Sequence, residues 1–251
     1  MKTFKRMFRG NRSGQLLIVA ALAIAILIAS ASIYVYELDV EQNSQSSLQT
    51  ANFIPVIKQC TRNALISSLA NISNGGSRTV LSANLEELAE TLRSLKQQAI
   101  FQLAFGLHND SNYESGVWLL WGAEGFGVSS AHTKFELSVQ GVENLEMDYA
   151  LNITTTVLVE GFYIGNSDEK NVTLTCRIYN EGKPAQAKSI SIFYELDEDW
   201  IPANPSVLDF GNGTYTISFT TIIPSETVHV SVQVTDLRGI FAYANATCIE
   251  A

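Results

Sequence analysis

The stretches 172-VTLTCRI-178 and 228-VHVSVQV-234 decide the fold, because apolar and polar residues alternate in both. A period of two is typical of a strand that buries one face. The same alternation occurs in 190-ISIFY-194 and 215-YTISF-219. Together with the flanking runs Thr155–Ile164 and Phe241–Ile249, the pattern predicts six or seven strands within about 100 residues, a spacing typical of an antiparallel β-sandwich.

A different period occupies residues 48–105, where apolar side chains recur every three or four residues. This spacing is typical of the buried face of a helix. The turn Asn74-Gly75-Gly76-Ser77 divides the stretch, and Asn84 and Glu87 have the spacing of a capping box. We therefore predict an antiparallel helical hairpin, whose second helix runs from about Ala83 to Phe105.

Short runs of aromatic and β-branched residues follow the polar segment 108–112. Phe135, Leu137 and Val139 alternate with polar positions, which indicates a strand. This part of the chain predicts a small sheet that lies on the helical hairpin.

An uncharged apolar run from Leu16 to Tyr36 follows five basic residues and precedes the first acid, Glu37. About 20 apolar residues span a bilayer as a helix, and the basic flank is expected on the cytoplasmic side. The run predicts a single transmembrane helix, with the rest of the chain outside the cell. An alternative is a secretory signal that is removed after Ala31.

The charge is distributed unevenly along the 251 residues. Five of the 16 basic residues precede Glu37, so 11 basic residues face 25 acidic ones in the remainder. A surface of this kind repels nucleic acid, which we exclude as a partner.

Three cysteines, Cys60, Cys176 and Cys248, leave one thiol over if a disulfide forms. Cys176 and Cys248 each share the inward phase of their strands, which favours a bond between them in an exported chain. Such a bond would close a loop of about 70 residues and stabilise the fold by about 4 kcal/mol. The alternative is two buried free thiols, while Cys60 is expected to be a small core residue.

The N-terminus resembles the class III signal of archaeal type IV pilin-like proteins. The resemblance rests on the basic leader, on Arg12-Ser13-Gly14-Gln15 and on the apolar helix that follows. It implies cleavage between Gly14 and Gln15 on the cytoplasmic side. It also implies a retained helix that packs against other copies in a filament. Many pilins carry Glu at the fifth mature position, which here is Val19.

The C-terminal part resembles immunoglobulin-like repeats of filamins and prokaryotic surface proteins. Residues 209-DFGNGTY-215 match the turn that opens a strand in such repeats, and 232-VQVTDLRG-239 matches their final hairpin. The glycines supply the positive φ of a tight turn, and Tyr215 enters the core. The resemblance implies the fold, and it leaves the function open.

Asparagine in the pattern Asn-x-Ser/Thr is the most frequent candidate site outside the predicted membrane helix. A glycan is expected where such an asparagine faces solvent, and chance occurrence is the alternative. The six candidates are Asn71, Asn109, Asn152, Asn171, Asn212 and Asn245.

Signatures of an enzyme, a cofactor or a metal centre are absent from the sequence. His108, His132 and His229 lack the spacing of metal ligands. The segment Gly122–Gly127 is glycine-rich, but its pattern predicts a loop or bulge rather than a phosphate-binding loop. A weak Ca²⁺ site and a solvated loop are alternatives for one acidic cluster. Its members are Glu195, Asp197, Glu198 and Asp199. Trp200-Ile201-Pro202, which follows, is either an exposed adhesive tip or part of the core.

The predicted fold class is α+β: an N-terminal transmembrane helix that continues into a helical hairpin, a small β region and an Ig-like antiparallel β-sandwich. The predicted parts are a leader (1–14), a transmembrane helix (15–36), a helical stalk (37–112), a small β region (113–151) and the sandwich (152–251). We expect a single-pass membrane protein with a structural or adhesive role at the cell surface, such as a pilin-like subunit. Its expected partners are the lipid bilayer and other copies of the N-terminal helix. The alternative is a binding module whose sandwich captures a peptide, glycan or protein.

Overall fold

The computed structural model describes residues 53–94, 100–140, 145–166 and 168–251. These ranges hold two helices and 12 strands. The helices are α1 over residues 53–73 and α2 over Thr79–Ser94. The strands are β1 (Ile100–Leu107), β2 (Val117–Ala123), β3 (Phe126–Gln140), β4 (Leu145–Asn166), β5 (Glu169–Asn180), β6 (Lys183–Pro184), β7 (Ala187–Leu196), β8 (Asp199–Pro202), β9 (Ser206–Asp209), β10 (Thr214–Ile222), β11 (Val228–Asp236) and β12 (Phe241–Glu250).

All 12 strands belong to one hydrogen-bonded network, whose main path is β8-β7-β11-β12-β4-β5-β10-β9. The neighbours on this path are antiparallel except β12 and β4, which meet in parallel at Ile249 and Phe162. Strand β3 pairs with residues 145–158 of β4, on the edge opposite to β5, and carries β1 and β2 along its own other edge.

The C-terminal half of the network encloses the first hydrophobic core. Buried side chains from β4, β5 and β10 share this core with buried side chains from β7, β11 and β12. The alternation read from 172–178 and 228–234 is the cause. Val172, Leu174 and Cys176 point inward on β5, and the four valines at even positions of β11 do the same.

The second hydrophobic core lies between the two helices and the sheet formed by β1, β3 and the first half of β4. Leu65 and Leu69 of α1 meet Leu81 and Leu85 of α2, and all four are fully buried. Phe135 of β3 stacks on Tyr149 of β4, with ring centroids 5.1 Å apart. This core is built from the helical period of residues 57–92 and the strand period of residues 101–153 together.

The turn between the helices begins where the sequence predicts it. Gly75 adopts a φ of 96°, and its N–H donates to the carbonyl of Ile72. Ser77 caps α2 by accepting a hydrogen bond from the N–H of Thr79. Asn84 therefore lies inside the helix, and its side-chain amide donates to the hydroxyl of Ser68 on α1 at 2.9 Å.

The predicted α+β class is wrong. About 60% of the described residues lie in strands, so the chain is mostly β, with two helices in the described ranges. The predicted small β region also shares a strand with the predicted sandwich, because β4 runs unbroken from Leu145 to Asn166.

Within those same ranges, neither helix has the length and apolar character needed to cross a bilayer. The predicted transmembrane helix (15–36) and the leader (1–14) lie outside the described residues.

The predicted second helix over Ala83–Phe105 is wrong at its end. Helix α2 ends at Ser94, and residues from Ile100 onward form β1. The sequence 100-IFQLAFGL-107 is compatible with both periods. Leu103 continues the three- and four-residue spacing of the apolar residues before it, and it also alternates with Phe101 and Phe105. Pairing along the full length of β1 with β3 decides for the strand.

At Gly127, β3 passes close to the backbone of β12. A Cβ atom at this position would collide with the backbone carbonyl of Tyr243. Because backbone atoms cannot rotate away, the contact between these two strands requires a residue without a side chain.

We predict that Gly127→Ala destabilises the protein by about 1–3 kcal/mol, because the added methyl group forces β3 away from β12. Gly106→Ala is the matched control, since Gly106 is a glycine of β1 whose added Cβ would meet no atom within 4 Å. Its effect should stay within about 0.5 kcal/mol. Urea unfolding of the full-length protein measures both, and equal losses in the two variants would contradict the proposed close approach.

Candidate functional site

The outward faces of β3 and β4 bring several polar side chains together. Ser130 and His132 alternate with buried residues on β3, and Asn152 and Thr154 lie opposite them on β4. Residues of a period-two strand that do not enter the core must point to the other face. The two histidines that the sequence left scattered, His108 and His132, become neighbours here, with ring centroids 4.5 Å apart.

The loop after β1 folds back over this face. The N–H of His108 donates to the carbonyl of His132, and the N–H of His132 donates to the carbonyl of Gly116. Asp110 holds the turn, because its Oδ1 accepts from the N–H groups of Asn112 (2.7 Å) and Tyr113 (2.8 Å). These backbone bonds, helped by His108 at 3.0 Å from Oδ2, lower the pKa of Asp110.

A chain of hydroxyl groups runs beneath the loop. The buried hydroxyl of Ser130 lies 2.8 Å from Tyr113 Oη, 2.8 Å from Asn152 Oδ1 and 2.7 Å from Thr154 Oγ1. Asn152 Oδ1 accepts from Thr154 as well, at 3.1 Å. The amide oxygen of Asn152 is thereby fixed, which turns its Nδ2 away from the network.

His132 is half-buried in this cluster, and loss of water around the ring lowers its pKa. His108 and Lys134 lower it further, while Asp110 acts in the opposite direction. The imidazole is therefore biased toward its neutral form, which offers one donor and one acceptor nitrogen.

We call this group the outer cluster and define it as His108, Asp110, Tyr113, Trp118, Ser130, His132, Asn152 and Thr154. It combines half-buried aromatic rings with amide, hydroxyl and imidazole groups, which is the composition of sites that bind polar ligands. Across the described ranges, no three His, Cys, Asp or Glu side chains are arranged to hold a metal ion. The sequence could not reveal the cluster, because it depends on the register of β3 against β1 and β4.

A second polar group lies inside the molecule, at the turn between β11 and β12. Asp236 is fully buried, and its Oδ1 accepts from the N–H groups of Arg238 and Ile240 at 2.9 Å each. Its Oδ2 accepts from Arg238 Nε at 2.8 Å and from Thr155 Oγ1 at 2.9 Å. Four hydrogen bonds satisfy this carboxylate, as burial of a charge requires.

Arg238 connects Asp236 to Glu181, because its Nη1 donates to Glu181 Oε1 at 2.6 Å. Glu181 also accepts from Arg62 of α1 at 3.1 Å and from the N–H of Thr154 at 3.0 Å. Burial acts to raise the pKa of Glu181, but these hydrogen bonds, above all that from Arg238, hold it below its ordinary value of 4.5. The group ties α1, β4 and the β11–β12 turn together, so its role is structural.

Five of the six predicted glycan sites expose their asparagine: Asn71, Asn109, Asn152, Asn171 and Asn212. Asn245 differs, since it is half-buried and its Oδ1 is enclosed without a hydrogen-bond partner among the described residues. The β2–β3 turn lies over Asn245 through Glu124 and Gly122. Access for a glycan at Asn245 is therefore poor.

The predicted Cys176–Cys248 disulfide is not formed in this structure. Both residues are free thiols buried in the first core, while Cys60 is half-exposed on α1. Burial raises the pKa of each buried thiol to about 12. The inward phase was read correctly from the sequence, but a shared phase does not fix the distance between two sulfur atoms.

The acidic cluster forms the tip of the β7–β8 hairpin, where Asp197 and Glu198 both have positive φ. Trp200 beyond it is 43% exposed. The glycine-rich segment is the bulged hairpin between β2 and β3, in which Gly125 supplies a positive φ. The predicted processing residues Gly14 and Gln15 lie outside the described residues.

The lowered pKa of Glu181 predicts how stability depends on pH. A carboxylate whose folded pKa is depressed stabilises the fold fully above the unfolded pKa, near 4.5, and loses this contribution as the pH falls through the folded value. Glu181→Gln should therefore lower stability at pH 7 and weaken its further decline below pH 4.5.

Denaturant unfolding of the full-length protein at pH 7 and at several pH values below 4.5 measures this effect. Glu114→Gln is the control, because Glu114 also pairs with an arginine, Arg78, but its side chain is 79% exposed. The pH dependence of the unfolding free energy should be the same in Glu114→Gln as in the parent protein. If Glu181→Gln also leaves the profile unchanged, the network does not carry the pH dependence.

Comparisons with known proteins identify no relative of this chain. No family model matches the chain, and no curated protein and no solved structure resembles it at a significant level.

Proposed function

We propose that this chain is a membrane-anchored protein of the cell surface with a structural or adhesive role, of the kind that includes pilin-like subunits. The observation that carries the proposal is the charge pattern of the N-terminus. A basic leader precedes the uncharged run from Leu16 to Tyr36, and the remainder is strongly acidic. This order favours an anchored chain with its N-terminus in the cytoplasm and its bulk outside.

Two features of the described residues support this role. The described residues form one network of 12 strands, braced by the ion pairs of Arg238 with the fully buried Asp236 and with Glu181, which suits a rigid element for display. Five of its sequon asparagines face solvent, which suits an exported glycoprotein.

The decisive experiment is mass spectrometry of the mature N-terminus of the membrane-bound protein. We expect the mature protein to begin at Gln15. Gly14→Val should block the cleavage, because the peptidase implied by the resemblance would have to accommodate this residue directly before the cleaved bond. Gly10→Val is the control in the same leader and should be processed. A start at Met1 would leave a plain anchor and remove the pilin-like route. A start at Ser32, with the protein released from the membrane, would overturn the anchoring.

The outer cluster favours a second candidate function, the binding of a saccharide at the cell surface. Trp118 and Tyr113 lie with ring centroids 5.9 Å apart beside the hydroxyl chain of Ser130. An apolar ring face next to amide and hydroxyl groups complements a sugar, which has one apolar face and a rim of hydroxyls.

We predict that Trp118→Ala abolishes binding of the full-length protein to an array of neutral mono- and disaccharides. Trp200→Ala, which removes the exposed tryptophan of β8, should leave that binding unchanged. An array with no signal for the parent protein, or equal signals for all three proteins, would exclude the outer cluster as a saccharide site.

A further inference from the structure

We propose that Asn171 carries a glycan whose first sugar ring packs on an apolar platform formed by Phe162 and Ile164. The inference rests on the proposed function, because only a chain exported across the membrane meets the sugar donor. The inference goes beyond that function in two ways. It identifies a surface beside one sequon that contacts the attached sugar, and it explains why these apolar side chains are exposed.

The register of the strands places the platform beside Asn171. Ile164 on β4 is the direct cross-strand partner of Asn171, and Thr220 on β10 is its partner on the other side. Phe162 and Ile222 occupy the diagonal positions, which lie within reach of a large group at the centre. All these side chains point to the outer face, opposite the buried Val172.

The platform is unusually apolar for a solvent-facing strand position. Phe162 is 40% exposed, Ile164 61% and Ile222 71%. Ile249, the partner of Phe162 on β12, extends the same patch and is 62% exposed. Phe162, Ile164 and Ile249 are neighbours and form a contiguous patch, whereas Ile222 lies on the other side of Asn171, opposite Glu169. A contiguous exposed apolar patch indicates that something covers it.

A hollow beside Asn171 has a size that suits a single sugar ring. It measures about 260 Å³ and is lined by Ile164, Gly165, Glu169, Asn171 and Thr220. This volume is somewhat below the about 300 Å³ at which pockets for drug-sized ligands begin, a size that suits the first sugar ring. The carboxylate of Glu169 and the hydroxyl of Thr220 would meet the sugar hydroxyls. Ile164 is the platform residue that lines the hollow, and its side chain would meet the C–H face of the sugar.

The amide of Asn171 is available for the attachment. Its Oδ1 accepts a long hydrogen bond of 3.5 Å from Thr220 Oγ1, and its Nδ2 makes no hydrogen bond to any described residue. Asn109, by contrast, uses its Oδ1 to accept from the N–H of Ser115 and its Nδ2 to donate to the carbonyl of Leu107.

The covalent step requires a glycosyltransferase and a phosphate-activated, lipid-linked sugar donor. A bond forms between Nδ2 of Asn171 and the anomeric carbon of the sugar, and the bond between that carbon and the donor phosphate oxygen breaks. One proton leaves Nδ2, and the phosphate departs with the electron pair, so no oxidant or reductant takes part. Thr173, the third residue of the sequon, lies opposite Phe162 on the same face.

The first measurement is glycopeptide mass spectrometry of the native full-length protein. We expect a hexose or N-acetylhexosamine on the peptide that contains Asn171. A bare Asn171 beside occupied Asn109, Asn152 or Asn212 would overturn this inference and leave the proposed function intact. Absence of sugar from all sequons would overturn the inference, while the N-terminal analysis would still decide the membrane anchoring.

The second measurement tests the packing with a matched pair of variants made in the native host. Thr173→Ser keeps the sequon, whereas Thr173→Ala removes it and leaves Asn171 and the platform in place. Thr173→Ala should bind a hydrophobic fluorescent dye several-fold more strongly than Thr173→Ser, because the platform is uncovered. Ser111→Ala, which removes the sequon of Asn109, should bind the dye like the parent. Equal dye binding by the two Thr173 variants would overturn the packing of the sugar on the platform.

Discussion

Strand β4 has to serve two hydrophobic cores with one inward face, and the rest of the structure depends on how it does so. Its inward side chains enter the second core up to Ile153 and the first core from Val157 onward. Between them lies Thr155, which is fully buried and polar. The strand therefore changes partners, from helices on one half to a facing sheet on the other, at a single hydroxyl group.

Thr155 is where the buried carboxylate of Asp236 and the guanidinium of Arg238 meet the strand, at 2.9 and 3.0 Å. A buried charge is stable only when its hydrogen bonds are complete, and here the groups that complete them come from different parts of the chain. The β11–β12 turn supplies Asp236 and Arg238, and β4 supplies the hydroxyl of Thr155. Arg62 of α1 joins the network through Glu181.

The strand alternation that the sequence shows at 172–178 and 228–234 is present in the structure, because a period of two is a local property of the chain. The predicted fold class, α+β, fails where one local pattern is compatible with two secondary structures. Residues 100–107 fit a helix and a strand, and only the pairing with β3 selects the strand. The outer cluster lay beyond sequence reasoning for a related reason. His108 and His132 are 24 positions apart, and the outward phase of one strand does not say which residue of another strand stands beside it.

The continuity of β4 limits how this chain can change in length. A single residue inserted or deleted between Ile153 and Val157 would reverse the facing of every later position, since the pleat repeats every two residues. Val157, Val159 and Tyr163 would turn outward, and Glu160 and Phe162 would turn into the sandwich. Variation in length is therefore confined to the turns, and the 22-residue strand can be altered only by substitution.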